Sequence, residues 1–124
     1  MISTGKKIYS ILSGDAGVMA LLSSNSQIRP LVLPIDTVLP GVIYQRVFNL
    51  TNTKDGYGFG EATVSISVYS QDYGEGVTLA ERIRHALVNF RDSEVRSIQL
   101  NSGTESFVED AFLQTMSFSV KGVL

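Results

Sequence analysis

Apolar residues recur at helical spacing near the start of the chain, where Ile8, Ile11 and Leu12 are followed, beyond Gly14, by Val18, Leu21 and Leu22. This pattern predicts two short helical segments, the second capped by Asp15. Segments of one or two turns are not stable alone, so both need a sheet to pack on. From Gln27 to Pro40, an apolar run is interrupted by Pro30, Pro34 and Pro40. Prolines at these positions exclude a long helix and predict a short edge strand or an extended connection lying over the core.

Two strands are predicted next, Val42 to Leu50 and Glu61 to Ser70. In the second, Val64, Ile66 and Val68 alternate with Thr63, Ser65, Ser67 and Tyr69, which predicts one buried face. Thr51 to Gly60 joins them as the tip of a long hairpin, with turn chemistry at Asp55 and Gly56. This arm also carries Tyr57 and Phe59, aromatic residues that are costly to leave in water unless they pack or meet a partner.

The strongest helical pattern ends near Phe90, with Leu79, Ile83, Ala86, Leu87 and Phe90 along one face. Two capping boxes compete for its start, Thr78 with Glu81 and Asp72 with Glu75, and the earlier one encloses Gly74 and Gly76 at about 1 kcal/mol each. Val95, Ile98 and Leu100 then predict a strand that ends in the hairpin-turn composition of Asn101, Ser102 and Gly103. Ser106 to Leu113 is its partner, followed by Gln114 to Lys121, where Met116, Phe118 and Val120 alternate with Thr115, Ser117 and Ser119. These two are either separate strands or one long strand bent near Ala111. Helices, strands, helix, strands, without a βαβ repeat, predict an α+β fold: a mostly antiparallel sheet with a long hairpin arm and helices packed on one face.

Length and composition narrow the function more than the fold. At 124 residues with 44% apolar content, the chain is expected to form one domain over 1–124 with a single core. Ten basic and twelve acidic residues give a formal charge of −2, so no global field favours specific nucleic-acid binding. The absence of cysteine removes disulfides, thiolate nucleophiles and cysteine metal sites, and a single histidine removes the usual zinc and His-rich catalytic sets. No apolar run approaches the roughly 18 residues of a membrane-spanning helix. Lys6 and Lys7 before Ile8 faintly imitate a secretory leader, but Gly14 and Asp15 break the apolar stretch, so a cytosolic chain is expected. Asn49-Leu50-Thr51 is then a chance glycosylation acceptor.

Candidate chemistry is sparse. Gly56, Gly58 and Gly60 resemble a phosphate-cradling loop only superficially, because such loops lead into a helix N-terminus and a strand follows here. His85 has the right chemistry for a general base, yet it stands four residues after Glu81, the spacing of an ordinary helix surface pair. No serine elbow or second histidine completes a triad or a metal site. Glu109 and Asp110 would point to opposite faces of a strand and cannot act as paired carboxylates, which leaves solvation of an edge or turn, or a subunit contact. Arg82, Arg84, Arg91 and Arg96 cluster near the end of the helix, where cations favour its dipole, and are interspersed with Asp92 and Glu94.

Several strings, in order, resemble a known family. They are Ile8 to Leu22 (IYSILSGDAGVMALL), Ile28-Arg29-Pro30, Leu39 to Gln45 (LPGVIYQ), the strand ending Val68-Tyr69-Ser70 that leads to Leu79-Ala80-Glu81-Arg82-Ile83 and Leu87, and the closing Met116 to Val120. Together they resemble the tail completion proteins of long-tailed bacteriophages, which include tail terminators and head-to-tail joining proteins and often occur in prophages. The resemblance implies an α+β subunit of a hexameric ring that closes the tail tube and receives the head connector. Its partners would be copies of itself, the tail tube protein and head connector proteins, with no cofactor, no metal, no specific nucleic acid and no membrane. The place implied is the virion tail or neck, after assembly in the host cytoplasm. The expected contact residues are Thr53, Lys54, Asp55, Tyr57 and Phe59 on the arm, with Glu109 and Asp110. A small cellular module that holds a protein partner on an exposed sheet edge is the alternative, and an enzyme using His85 is the third reading.

Overall fold

The computed structural model describes residues 4–34, 36–49 and 59–123. Helix α1 (Thr4–Ser13) and the single turn α2 (Ala16–Met19) precede strands β1 (Ile28–Pro30), β2 (Gly41–Asn49) and β3 (Phe59–Ser70). Helix α3 (Tyr73–Val88) leads to strands β4 (Val95–Val108) and β5 (Ala111–Val123). The five strands lie in the order β1-β2-β3-β5-β4, antiparallel except for β1 beside β2.

The helices cover one face of this sheet. Val42, Ala62, Val64, Ile66, Val68, Met116, Phe118 and Val120 point to that face and are buried against Ile8, Leu12, Val18, Leu79, Ile83 and Leu87. The period-2 pattern of β3 and β5 therefore describes the sheet side of the core, and the period-3.6 pattern of α1 and α3 the helix side. Asp15 caps α2 by accepting from the amide of Val18 at 3.0 Å. Asp72 caps α3 by accepting from the amide of Glu75 at 2.8 Å, so the earlier of the two capping boxes starts the helix.

That start puts Gly76 on the buried face of α3. A Cβ there would stand 2.3 Å from the hydroxyl of Ser70, which is itself buried and donates to the carbonyl of Asp72. The close approach of helix to strand accounts for a glycine inside a helix that propensity alone disfavours.

The proline-rich stretch forms both of the things its pattern allowed. Ile28–Pro30 is a short edge strand parallel to Val42–Tyr44, and the connection after it crosses to the sheet face that the helices leave open. There Leu33 lies over Gly41, where a Cβ would come within 2.9 Å of its methyl groups. Leu31 turns the chain off the β2 edge with φ of 66°, an uncommon conformation for a bulky residue.

The turn expected at Asn101–Gly103 is not a turn. β4 runs straight through it, and the extra residue is absorbed as a bulge between Leu100 and Ser102, with the Asn101 amide donating to the Ser119 hydroxyl at 2.6 Å. The reversal comes at Glu109 and Asp110, with φ of 52° and 62°, between the paired residues Val108 and Ala111. Two consecutive positive φ values give the strand-compatible twist of a tight two-residue hairpin, and the short side chain of Asp110 tolerates that region better than most.

Lys7 on α1 reaches across to the segment that opens β4. It donates to Asp92 and stands 3.5 Å from Glu94, while the other oxygen of Asp92 accepts the amides of Glu94 and Val95. The Lys7 hydrogen bond, helped by those amides, pushes the Asp92 carboxyl down to about 2 from 3.8. A carboxyl depressed on folding contributes stability above its unfolded value and loses it as pH falls through its folded value. The advantage of the wild type over Asp92→Asn in thermal midpoint should therefore be full above about pH 4 and vanish towards pH 2. Melting curves of both proteins across pH 2–6 check this, and an advantage that grew on acidification would contradict it.

Candidate assembly surface

The face of the sheet turned away from the helices is lined by short hydroxyl side chains. Thr63, Ser65 and Ser67 on β3 stand directly opposite Ser119, Ser117 and Thr115 on β5, and the hydroxyls of Ser67 and Thr115 are 3.4 Å apart. Cross-strand hydroxyl pairs of this kind make a flat, uncharged surface at the centre of the sheet. At one corner the connection after β1 borders an open groove of about 580 Å³, walled by Leu31, Val32, Ile43, Tyr69, Val108 and Glu109. Leu31 and Val32 are exposed there, as is Val108 at the end of β4, while Phe107 is exposed on the opposite face of that strand. Neighbouring exposed apolar side chains are uncommon on a chain that works alone and mark contact surfaces.

The end of β4 is held rigidly. The hydroxyl of Tyr73, at the start of α3, donates to Glu105 at 2.7 Å, and Gln114 donates to the same oxygen at 3.1 Å. These two bonds, Tyr73 first, hold the Glu105 carboxyl below the usual range, while the Glu105 contact raises the Tyr73 phenol. Phe112 packs edge-on against both Tyr73 and Phe107, with ring centroids 5.6 and 5.0 Å apart.

The expected contact residues fall into two groups. Thr53, Lys54, Asp55 and Tyr57 lie outside the described residues, and Phe59 opens β3 opposite Val123. Glu109 and Asp110 are exposed at the β4–β5 turn, level with the other end of β3. Along a twelve-residue strand the two ends are separated by roughly 35–40 Å. Phe59 and the Glu109–Asp110 turn therefore lie at opposite ends of the sheet.

His85 is not part of a constellation. It is exposed on α3, one turn after Glu81, with its Nδ1 3.1 Å from the Asn89 amide. A shallow cavity of about 460 Å³ beside it is lined by Asp15, Thr78, Glu81 and Arg82, and Arg82 is engaged with the carbonyl of Gly17 at 2.9 Å. Among the described residues no group of three or more metal-ligating side chains converges.

What sequence reasoning missed is Gln27. It is buried, and all four hydrogen-bonding positions of its amide are used. Its oxygen accepts the amides of Ser23 and Ser24 at 2.6 and 2.9 Å, and its nitrogen donates to the carbonyls of Val38 and Pro40, each at 2.8 Å. This one side chain staples the proline-bearing connection, and with it one wall of the groove, to the body of the protein. A lone glutamine among apolar residues carries no spacing signal.

A surface of edges, hydroxyls and exposed apolar corners is the material of a structural protein. Residues 6–121 match the family described as Tail completion protein gp17. The chain belongs to that family. Tail completion proteins are structural components of phage tails, and this chain is one of them. Its fold also resembles that of a chain in the solved virion of a native gene transfer agent (GTA) particle, with a TM-score of 0.78 over 94% of this chain and 92% of the other. At 17% identity the likeness is one of fold. No curated protein matches the chain.

Proposed function

We propose that this tail completion protein acts as the subunit of a ring, six copies in the simplest case, that ends the tail tube and receives the head connector. It works without catalysis, by presenting shape to copies of itself, to the tail tube protein and to connector proteins, in the host cytoplasm during assembly and then in the tail or neck of the virion. This reading is supported by the family match over residues 6–121 and by unlike features at the two ends of β3, its start at Phe59 and, level with its other end, the acidic Glu109–Asp110 turn. Head-to-tail contacts between unlike surfaces close into a ring when the rotation per subunit divides the circle, whereas like-to-like contacts stop at a dimer. The arm residues Thr53, Lys54, Asp55, Tyr57 and Phe59 form one contact group, and Glu109 and Asp110 belong to the other. The net charge of −2 is compatible with a lumen through which DNA passes without being gripped.

Electron microscopy of particles from a phage lacking this gene tests the proposal. Tails with irregular or unfinished ends, separated from filled heads, are expected. Intact virions of normal tail length would overturn it.

A further inference from the structure

The sheet has two outer edges, and they differ. On one side, β1 covers β2 only from Val42 to Tyr44. Pro30 then ends β1, and Leu31 leaves the lane with its left-handed turn, so no described strand lies beside Gln45–Asn49. On the other side, β4 presents its whole outer edge. From Ser97 to Thr104 it carries no charge and no proline, with bulges at its start and near Asn101, and Glu105, the one charged residue from there to Val108, is taken up by Tyr73 and Gln114. Beyond that second bulge, Gly103 to Val108 is regular strand, exposed along its length, with its unpaired backbone groups facing outward.

We propose that the outer edge of β4, from about Gly103 to Val108, pairs with the open β2 edge at Gln45–Asn49 of a second copy. The inference rests on the ring reading and supplies its contact. Strand direction supports it. β2 and β4 run antiparallel within one sheet, so a second copy laid alongside in the same orientation offers its β2 antiparallel to β4, the more favourable pairing. Lane geometry sets the register. β4 of one copy enters the lane beside Gln45–Asn49 of the next, where no described strand lies, and it stops where Pro30 of that copy's β1 occupies the lane, with Val108 near Gln45.

Side chains then meet suitably at the stop. Val108 of one copy comes beside Leu31 and Val32 of the next on the open face, which removes three exposed apolar side chains from water. The acidic turn at Glu109 and Asp110 arrives beside the exposed Arg29 of the next copy, with opposite sign. The hydroxyl-lined face continues from one subunit to the next, and the stagger between copies is of the kind that closing a sheet into a barrel requires.

The lack of cysteine makes a direct test available. Phage are prepared in which Gln45→Cys is combined with Thr104→Cys, Ser106→Cys or Val108→Cys, all at exposed positions, and purified tails are oxidised. Within one chain β2 and β4 are three strand spacings apart, roughly 14 Å, too far for a disulfide. A covalent ladder from dimer upwards is expected in the Val108 or Ser106 pairing, with no product from any single-cysteine variant. Dimers from Val108→Cys or Thr104→Cys alone would show a two-fold β4–β4 contact and overturn the pairing. So would the absence of every ladder in tails whose ends show a ring by microscopy, a result that leaves the ring reading standing. Absence of a ring as well would remove both. If the variants do not enter tails, amide hydrogen exchange on the unaltered protein decides: residues 103–108 should exchange at least tenfold more slowly in tails than in the free chain, and equal rates would overturn the proposal.

Discussion

Phe118→Ala is expected to lower the stability of the chain by about 3–5 kcal/mol, the cost of emptying an aromatic site that cannot collapse. Phe118 is fully buried on β5, the largest such side chain in the core, between β3 and β4 and beneath the helices. Its partners Val64 and Leu100 are held in two different ladders, so neither strand can move in without breaking backbone hydrogen bonds. A domain of this size has only about 5–15 kcal/mol in total, so much of the chain would unfold under conditions where the wild type is intact. Denaturant titration followed by circular dichroism measures the change. A loss below about 1 kcal/mol would mean that the helix layer does not rest on this residue as described.

Gln27→Leu tests a different kind of interaction with a similar expected size, about 2–4 kcal/mol. Leucine fits the volume and removes a polar group, which on hydrophobicity alone would be neutral or favourable. It also strands four backbone partners, of which the Pro40 carbonyl is buried and cannot be resolvated by water. The desolvation of unpaired groups outweighs the gain in apolar contact. Gln27→Glu should be no better near neutral pH, because a carboxylate keeps the two acceptor bonds but places charge against the Val38 and Pro40 carbonyls. Denaturant midpoints of both variants check the size. Proteolysis between Leu31 and Pro40, faster in Gln27→Leu than in the wild type under native conditions, checks the location. Unchanged midpoints in both would contradict the role given to this amide.

Much of this architecture could be read from local pattern. The alternation of Val64, Ile66 and Val68 placed one face of β3 in the core, and the Leu79, Ile83, Leu87 spacing did the same for α3, because burial on one side imposes a period that composition cannot hide. Asp15 and Asp72 were recognisable as caps because their partners lie three residues away in sequence. Gly76, which counts against the earlier start of α3, is explained by something no local pattern contains, its close approach to Ser70 of a neighbouring strand.

The misplaced turn has the same origin. Asn101-Ser102-Gly103 has turn chemistry, but pairing with β5 along the full length of β4 outweighs it and converts the extra residue into a bulge. The true turn, Glu109-Asp110, has no glycine to announce it. Contacts between distant residues were likewise invisible. Lys7 and Asp92 are 85 positions apart, and Gln27 takes its partners from two loops. Tyr57 and Phe59 mark the arm as a contact candidate by aromatic character, whereas the long open edge of β4 follows from strand order, which no local pattern contains.

The proposed ring repeats the shape of this chain at the end of a tail. Electron cryomicroscopy of the head-proximal end of purified tails examines that directly. A closed ring of copies of this chain, with sheet running from each subunit to the next, is the predicted density. A lone copy, or a tail end from which the chain is absent, would contradict it.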